Sequence, residues 1–259
     1  MTFEMLLFDK TDGIVTLTLD RPPVNVLNRA LRRELRKAFE QIDRDVEARA
    51  VIVTGHGEKA FAAGADIREL QTLSGPDAEA MVCEWHGLFR RMETLRLPVI
   101  AAINGVALGG GCELAMACDM RVVSENARIG QPEINLGIIP GWGGTQRLAR
   151  LVGAGRALEM LMTGDPIDSA EALRIGWANR VTSAEELIPV ARSLAAKMTA
   201  KSAVALRLVK ECVYTGLDGP LSAGIACETE KFGQVCETAD KTEGIAAFLE
   251  KRSPRFRGR

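Results

Sequence analysis

Histidine is nearly absent from this 259-residue sequence, which carries only His56 and His86. Two imidazoles give little basis for a zinc site or a histidine-based nucleophilic triad, and both read as surface residues of a turn and a helix. Aromatic residues make up 5%, with a single Tyr and three Trp, too few for the stacking platforms that hold single-stranded nucleic acid. Excess charge is missing as well: 33 Lys and Arg face 34 Asp and Glu, a net charge of −1, so no surface is built to displace counterions from nucleic acid or to sit on anionic lipid. No apolar run reaches the roughly 18 to 20 residues needed to span a bilayer, and acids appear early where a secretory leader would be basic. The six cysteines, Cys83, Cys112, Cys118, Cys212, Cys227 and Cys236, form no C-x-x-C pair and read as reduced thiols of a cytoplasmic protein. A G-x-x-x-x-G-K-[ST] phosphate loop is absent too. Any chemistry is therefore expected from carboxylates.

What is present is an ordinary globular composition, 47% hydrophobic and 26% charged, on a chain long enough for one large domain or two small ones. Residues 14–19 alternate apolar and polar side chains, the period of a half-buried strand. After Asn28, a natural N-cap, Leu31, Leu35, Ala38, Phe39 and Ile42 recur at helical spacing. Residues 50–54 and 98–103 read as buried strands, with a helix over 78–95 between them. This alternation predicts an α/β fold with mostly parallel strands covered on both faces. Beyond about residue 184 four helical segments follow one another without a strand. A core over residues 1–195 and a helical region over 196–259 are expected, the latter packing on the core or on a neighbouring subunit. The basic tail from Lys251 reads either as a solvated terminus or as an anion or subunit contact.

Three glycine-bearing segments could carry chemistry. In Asn104-Gly105-Val106-Ala107-Leu108-Gly109-Gly110-Gly111-Cys112-Glu113-Leu114-Ala115-Met116 a strand runs through three glycines into a helix. Free N–H groups at a helix start can stabilise a developing oxyanion without a basic side chain. The run is not G-x-G-x-x-G and lies far from the first strand, against a dinucleotide site. Glu113, in the first turn, is favoured there by the helix dipole, but its neighbours are apolar, and a buried acid without a basic partner is costly unless it is used. The stretch from Gly130 to Thr145 is too rich in Gly and Pro for a helix and too apolar for an ordinary surface loop. Its Glu133 is either a solvated loop carboxylate or a second catalytic acid. In Lys59-Ala60-Phe61-Ala62-Ala63-Gly64-Ala65-Asp66-Ile67-Arg68, small side chains would let a ligand touch backbone. Asp66 there is a helix cap or a polar ligand contact, and Lys59 and Arg68 are cations of a solvated kind. Two acids beside an oxyanion site suit proton and water chemistry next to a thioester.

Together these segments resemble the crotonase family, the enoyl-CoA hydratase/isomerase superfamily, and the hydratases within it. Residues 60–67, 107–115, 130–137 and 140–148 occur in the family's order, and Phe-Leu-Glu-Lys-Arg near the end adds to the match. The resemblance implies a crotonase-like core of repeated ββα turns and a helical C-terminal region that builds a homo-oligomer, a trimer or a dimer of trimers. It implies an enoyl-CoA hydratase, a hydro-lyase of fatty acid or related acyl-CoA metabolism such as β-oxidation, with an acyl-CoA thioester as substrate and no cofactor, since CoA is part of the substrate. By matched position, the Ala65 and Gly110 N–H groups would form the oxyanion hole. Glu113 would activate water for attack at C3 and Glu133 would exchange the proton at C2. Gly141 would shape the water and thioester site, and the adenine would lie along Ala63, Gly64, Ala65, Asp66 and Ile67. Lys59 and Arg68 match cationic positions near the CoA phosphates, and Phe248 and Lys251 match positions that reach the CoA of a neighbouring subunit.

The sequence departs from the family pattern in two places. The loop from Arg21 to Asn28 is one residue shorter than the usual family form before its Asn, so no CoA contact is transferred onto it. Trp142 stands where many relatives have a small residue, and its indole beside the acyl site would shorten the pocket. A Δ3,Δ2-enoyl-CoA isomerase commonly relies on one acid, so the presence of both glutamates favours the hydratase. An RNA-binding member of this fold is disfavoured by the charge balance and the few aromatics.

Overall fold

A computed structural model describes residues 3–258; Met1, Thr2 and Arg259, the outermost residues of the expected domains, lie outside the described residues. The strands are β1 (Leu6–Thr11), β2 (Ile14–Leu19), β3 (Ala50–Gly55), β4 (Ala60–Ala62), β5 (Val99–Ile103), β6 (Val106–Leu108), β7 (Met120–Ser124), β8 (Arg128–Gly130), β9 (Ile167–Asp168) and β10 (Arg180–Thr182). A large sheet runs in the order β1-β2-β3-β5-β7-β10 and a small one in the order β4-β6-β8-β9. All neighbours in the large sheet are parallel except β1 with β2. Every residue of β3 and β5 is buried, as expected for strands covered on both faces.

The helices that cover them follow from local pattern. In α1 (Arg29–Arg44), Leu31, Leu35, Ala38, Phe39 and Ile42 are buried, and Asn28 caps the start by accepting from the Leu31 N–H at 2.8 Å. After α2 (Ile67–Leu70) comes α3 (Gly75–Glu93), which begins three residues before the expected 78 and places Trp85, Leu88 and Phe89 in the main core. On the opposite face, α8 (Leu187–Thr199) packs Leu187, Ala191 and Ala195 on Ile52, Ile100 and Val122. The division expected between residues 195 and 196 thus falls inside a helix whose apolar side belongs to the sheet.

Strands β3, β5 and β7 are each followed within a few residues by a short strand of the small sheet and then by helical structure. The pattern recurs as β3-β4-α2, β5-β6-α4 (Gly110–Met116), and β7-β8 with a 3-10 turn over Pro132–Leu136. Strands β4, β6 and β8 pair in parallel, so their carboxyl ends emerge side by side. Residues 130–145, expected to be free of helix, contain that 3-10 turn and the start of α5 (Gly144–Val152). Gly and Pro permit both, because Pro132 opens the turn, where its missing N–H is no loss, and Gly137 closes it at φ 71°.

Helices α6 (Ala154–Thr163) and α7 (Ser169–Arg174) precede α8, and α9 (Ala203–Leu217), α10 (Leu221–Cys236) and α11 (Ala239–Leu249) complete the chain. The basic tail is not loose in solvent. Asp240, 2% exposed, accepts from the Arg257 and Gly258 N–H groups at 2.6 and 2.9 Å, and Glu243 binds both Arg252 and the Arg255 N–H. Two carboxylates of α11 thus tether a tail whose residues 251–255 and 257 remain exposed. Among the described residues no helix is long and apolar enough to cross a membrane.

Candidate active site

The site lies where the three parallel strands of the small sheet end, the place at which open parallel sheets offer free backbone groups to a ligand. Strand β4 leads to Ala65, β6 to Gly110 and Glu113, and β8 to Gln131 and Glu133. Leu27 forms a parallel bridge with Ala65, donating to the Gly64 carbonyl at 2.8 Å and accepting from the Asp66 N–H at 2.9 Å. In that geometry the Ala65 N–H points the other way, and it donates to no group among the described residues. Gly110 is the first residue of α4, so its N–H has no intrahelical acceptor. The two segments touch: a Cβ built on Gly64 would lie 3.2 Å from the Leu108 carbonyl and 3.9 Å from the Gly110 nitrogen.

Glycine is required where α4 begins. Gly109 has φ 51°, and a Cβ there would come 2.6 Å from Glu133 Oε1. At Gly110 a Cβ would collide with the Trp142 ring. The backbone is thus pressed between the carboxylate of Glu133 and the indole of Trp142, which itself stacks on Trp85 at 4.1 Å between centroids, 17° from parallel.

All seven residues of α4 are buried, and Glu113 is 1% exposed. Its Oε1 accepts from the Trp142 and Gly144 N–H groups, both at 2.7 Å. Burial still pushes its pKa up to about 8, and the charge of Glu133 pushes the same way. Burial likewise raises Glu133 to about 7. Neither carboxyl has an ion-pair partner among the described residues. The fully buried Gln131, with its amide nitrogen toward Glu133, donates to both of that carboxylate's oxygens, at 3.2 and 3.1 Å. Two acids of raised proton affinity, Glu113 buried and Glu133 partly buried, beside two free N–H groups can move protons next to a polarised carbonyl.

A cavity of about 540 Å³ opens onto this centre and gathers Ala63, Gly64, Ala65, Asp66, Ile67, Arg68 and Glu133. Gly110, Glu113, Gly141 and Trp142 are not among the residues that line it. Asp66 caps α2 through the Arg68 N–H and pairs with Arg21 at 2.8 Å, so its carboxylate is already engaged. The Arg21 loop, on which no ligand contact was expected, lines the cavity with Arg21, Pro22, Pro23 and Val26, because the Arg21–Asp66 pair draws it inward. Leu136 and Ile138 add an apolar rim. Sequence reasoning missed these residues and Gln131; a polar side chain at the end of a buried strand was the available signal for Gln131. Lys59 is exposed and outside the lining, its carbonyl accepting from the Val106 N–H at 3.0 Å. Phe248, 82% exposed, and Lys251 lie at the end of α11, away from the cavity of their own chain. A larger hollow of about 1030 Å³ under the tail is lined by α11 and the Glu243–Arg252 pair and is remote from both acids.

A hydratase-like centre on a ββα scaffold is what these observations define, and comparison with known proteins agrees. The family model for enoyl-CoA hydratase/isomerase matches residues 9–259. A crotonyl-CoA hydratase of Syntrophomonas wolfei is 42% identical over 257 residues, covering 99% of each chain. A short-chain-enoyl-CoA hydratase of Clostridium acetobutylicum is 43% identical over 253 residues, 97% of each. The crystal structure of an enoyl-CoA hydratase from Bacillus anthracis superposes with a TM-score of 0.94 at 40% identity, covering 99% of this chain and 100% of that one. The chain belongs to the enoyl-CoA hydratase/isomerase family.

Proposed function

We infer that this protein is an enoyl-CoA hydratase that adds water reversibly across the 2,3 double bond of a trans-2-enoyl-CoA through the Glu113–Glu133 pair. The observation that carries the assignment of roles is two acids of raised pKa, Glu113 buried and Glu133 partly buried against Gly109, on the same strand ends as two N–H groups without internal acceptors. A thioester oxygen seated between the Ala65 and Gly110 N–H groups gathers negative charge as the double bond is attacked. Donors already in place stabilise it, each worth roughly 2.7 to 4 kcal/mol where such donors have been removed from other enzymes. Glu113, held at Oε1 by two backbone donors, takes a proton from water as its oxygen bonds to C3. Glu133 delivers a proton to C2, and the reverse steps eliminate water.

Between their titrations the two acids hold one proton, and coupled groups titrate as a pair. The reaction needs Glu113 ionised and Glu133 protonated; Glu113 has the higher proton affinity, so the reactive arrangement is the less populated of the two singly protonated forms, reached when that proton sits on Glu133. The chemistry is proton transfer, and CoA arrives with the substrate. The Trp142–Trp85 stack supports a short acyl chain. The apolar side chains exposed on α9, α10 and α11, including Val209, Val213, Ile225 and Phe232, support a homo-oligomer, a trimer or a dimer of trimers. Such an assembly would bring Phe248 and Lys251 near a neighbour's CoA, with Lys59 and Arg68 as solvent-side contacts to its phosphates. Six unpaired thiols support a cytoplasmic setting.

The test is the loss of enoyl-thioester ultraviolet absorbance on crotonyl-CoA by the wild type beside Glu113→Gln and Glu133→Gln. Rapid loss that collapses in both variants is expected. Wild-type turnover unaffected by either substitution would sink the assigned roles.

A further inference from the structure

Glu113 is only as well placed as the turn that holds it, and that turn has a support of its own. Arg147, in α5, donates from Nη1 to the Trp142 carbonyl at 3.0 Å and from Nε to Glu93 Oε1 at 2.5 Å. Its guanidinium lies 5.6 Å over the Phe89 ring. Gly143 has φ 101°, and a Cβ on it would strike Arg147 Nη1, so the turn is moulded onto the guanidinium. Glu93, the last residue of α3, is 7% exposed, and its other oxygen lies 3.6 Å from Arg90. A buried Arg–Glu pair seldom stabilises a fold more than apolar side chains of the same volume would. What it gives here is geometry: it ties α3 to the peptide groups of residues 142–144, two of which donate to Glu113.

We propose that Arg147, locked by Glu93, is a positioning residue for hydration, fixing the 142–144 turn so that both N–H donors stay on Glu113 Oε1 while Oε2 is left for water. The inference rests on the reading of Glu113 as the water-activating base. Arg147 also acts as a charge. The titratable groups facing Glu113 are Glu133 on the 3-10 turn, Cys112 on α4 itself, Arg147 from α5 and, beyond Ala115, Arg121 from β7. Arg147 favours the ionised carboxylate and Glu133 opposes it. Removing the cation therefore raises the proton affinity of Glu113 and moves the limb of the pH–rate profile that Glu113 sets, the alkaline one, upward.

Three variants separate charge from bridge. Arg147→Met removes both, Arg147→Lys keeps the charge but offers no fork to span Glu93 and the Trp142 carbonyl, and Glu93→Gln keeps Arg147 and loosens its clamp. With crotonyl-CoA, each is expected to lower kcat about tenfold or more while KM stays within about threefold. Only Arg147→Met should shift the alkaline limb upward, with Arg147→Lys restoring it. A second readout needs no turnover: an infrared titration of the Glu113 carboxyl, in a Glu133→Gln background, should move upward in Arg147→Met and not in Arg147→Lys. Folded Glu93→Gln protein with wild-type kcat would overturn the proposal, and this near-isosteric variant decides the matter if Arg147→Met does not fold. A wild type without hydratase activity whose Glu113 titration still moves in Arg147→Met would overturn the functional reading alone. A titration unmoved in Arg147→Met would overturn the coupling to Arg147.

Discussion

Replacing Glu113 by Gln should abolish turnover and make the protein more stable in alkali. Gln keeps an oxygen able to accept from the Trp142 and Gly144 N–H groups, so the hydrogen bonds at 2.7 Å survive. What disappears is a buried charge. Folding raises the carboxyl from 4.5 to about 8, and at 1.36 kcal/mol per unit this sets an upper bound of about 5 kcal/mol. Allowing for local relaxation, about 2 to 3 kcal/mol is expected, which for a chain of this size is roughly 4 to 12 °C in Tm. The sign follows from linkage: the folded state binds this proton more tightly than the unfolded state. Its contribution to stability is therefore fully present below the unfolded pKa and is lost as pH rises through the folded one. Wild type and variant should melt together near pH 4.5 and diverge up to about pH 8, the variant higher. Thermal melts at matched scan rate across that span are the assay. A variant less stable than wild type in alkali, or a difference independent of pH, would refute the argument that the fold disfavours ionisation of Glu113.

Further outcomes follow from the same geometry. The pH dependence of kcat/KM on crotonyl-CoA should be bell-shaped, with limbs near the raised values of about 7 and about 8, because the active form carries one proton on two acids; a profile flat from pH 6 to about pH 9 would contradict this. Gly109→Ala forces a Cβ to within 2.6 Å of Glu133 Oε1 at a positive φ, and a loss of kcat of about a hundredfold, larger than any loss of thermal stability implies, is expected from steady-state kinetics beside a melt. Trp142→Ala removes an indole stacked at 4.1 Å on Trp85, which should destabilise by about 3 to 5 kcal/mol. It should also raise kcat/KM for longer enoyl chains relative to crotonyl-CoA, a ratio that equal losses for both substrates would disprove.

Much of this was legible in the sequence because it is written in local pattern. The alternation of β2, the apolar runs of β3 and β5 and the helical spacing of α1 each reflect contacts a few residues apart. Glu113 stood out because its helix is apolar all round, and the helix is indeed buried on every side. The small sheet was harder, since β4, β6 and β8 are three residues each, too short for periodicity to register. The Arg21 loop joins the cavity through its pairing with Asp66, 45 positions away in sequence, and through backbone bonds to residues 63–66. Arg147 reads as one more surface arginine of an amphipathic helix until Glu93, 54 positions away, is found beside it. The tail is held by backbone N–H groups, which every sequence possesses and none advertises.

The placement of the chemistry on the ends of β4, β6 and β8 makes turnover a reporter of complete assembly. On the proposed roles, the oxyanion site draws one N–H donor from the first ββα unit and one from the second, while the acids belong to the second and third. No single unit carries a working subset, so a partly folded chain with most of its secondary structure in place has no route to residual activity. During refolding, recovery of hydration should therefore trail recovery of the large sheet, arriving only when three-residue strands far apart in the chain have come into register.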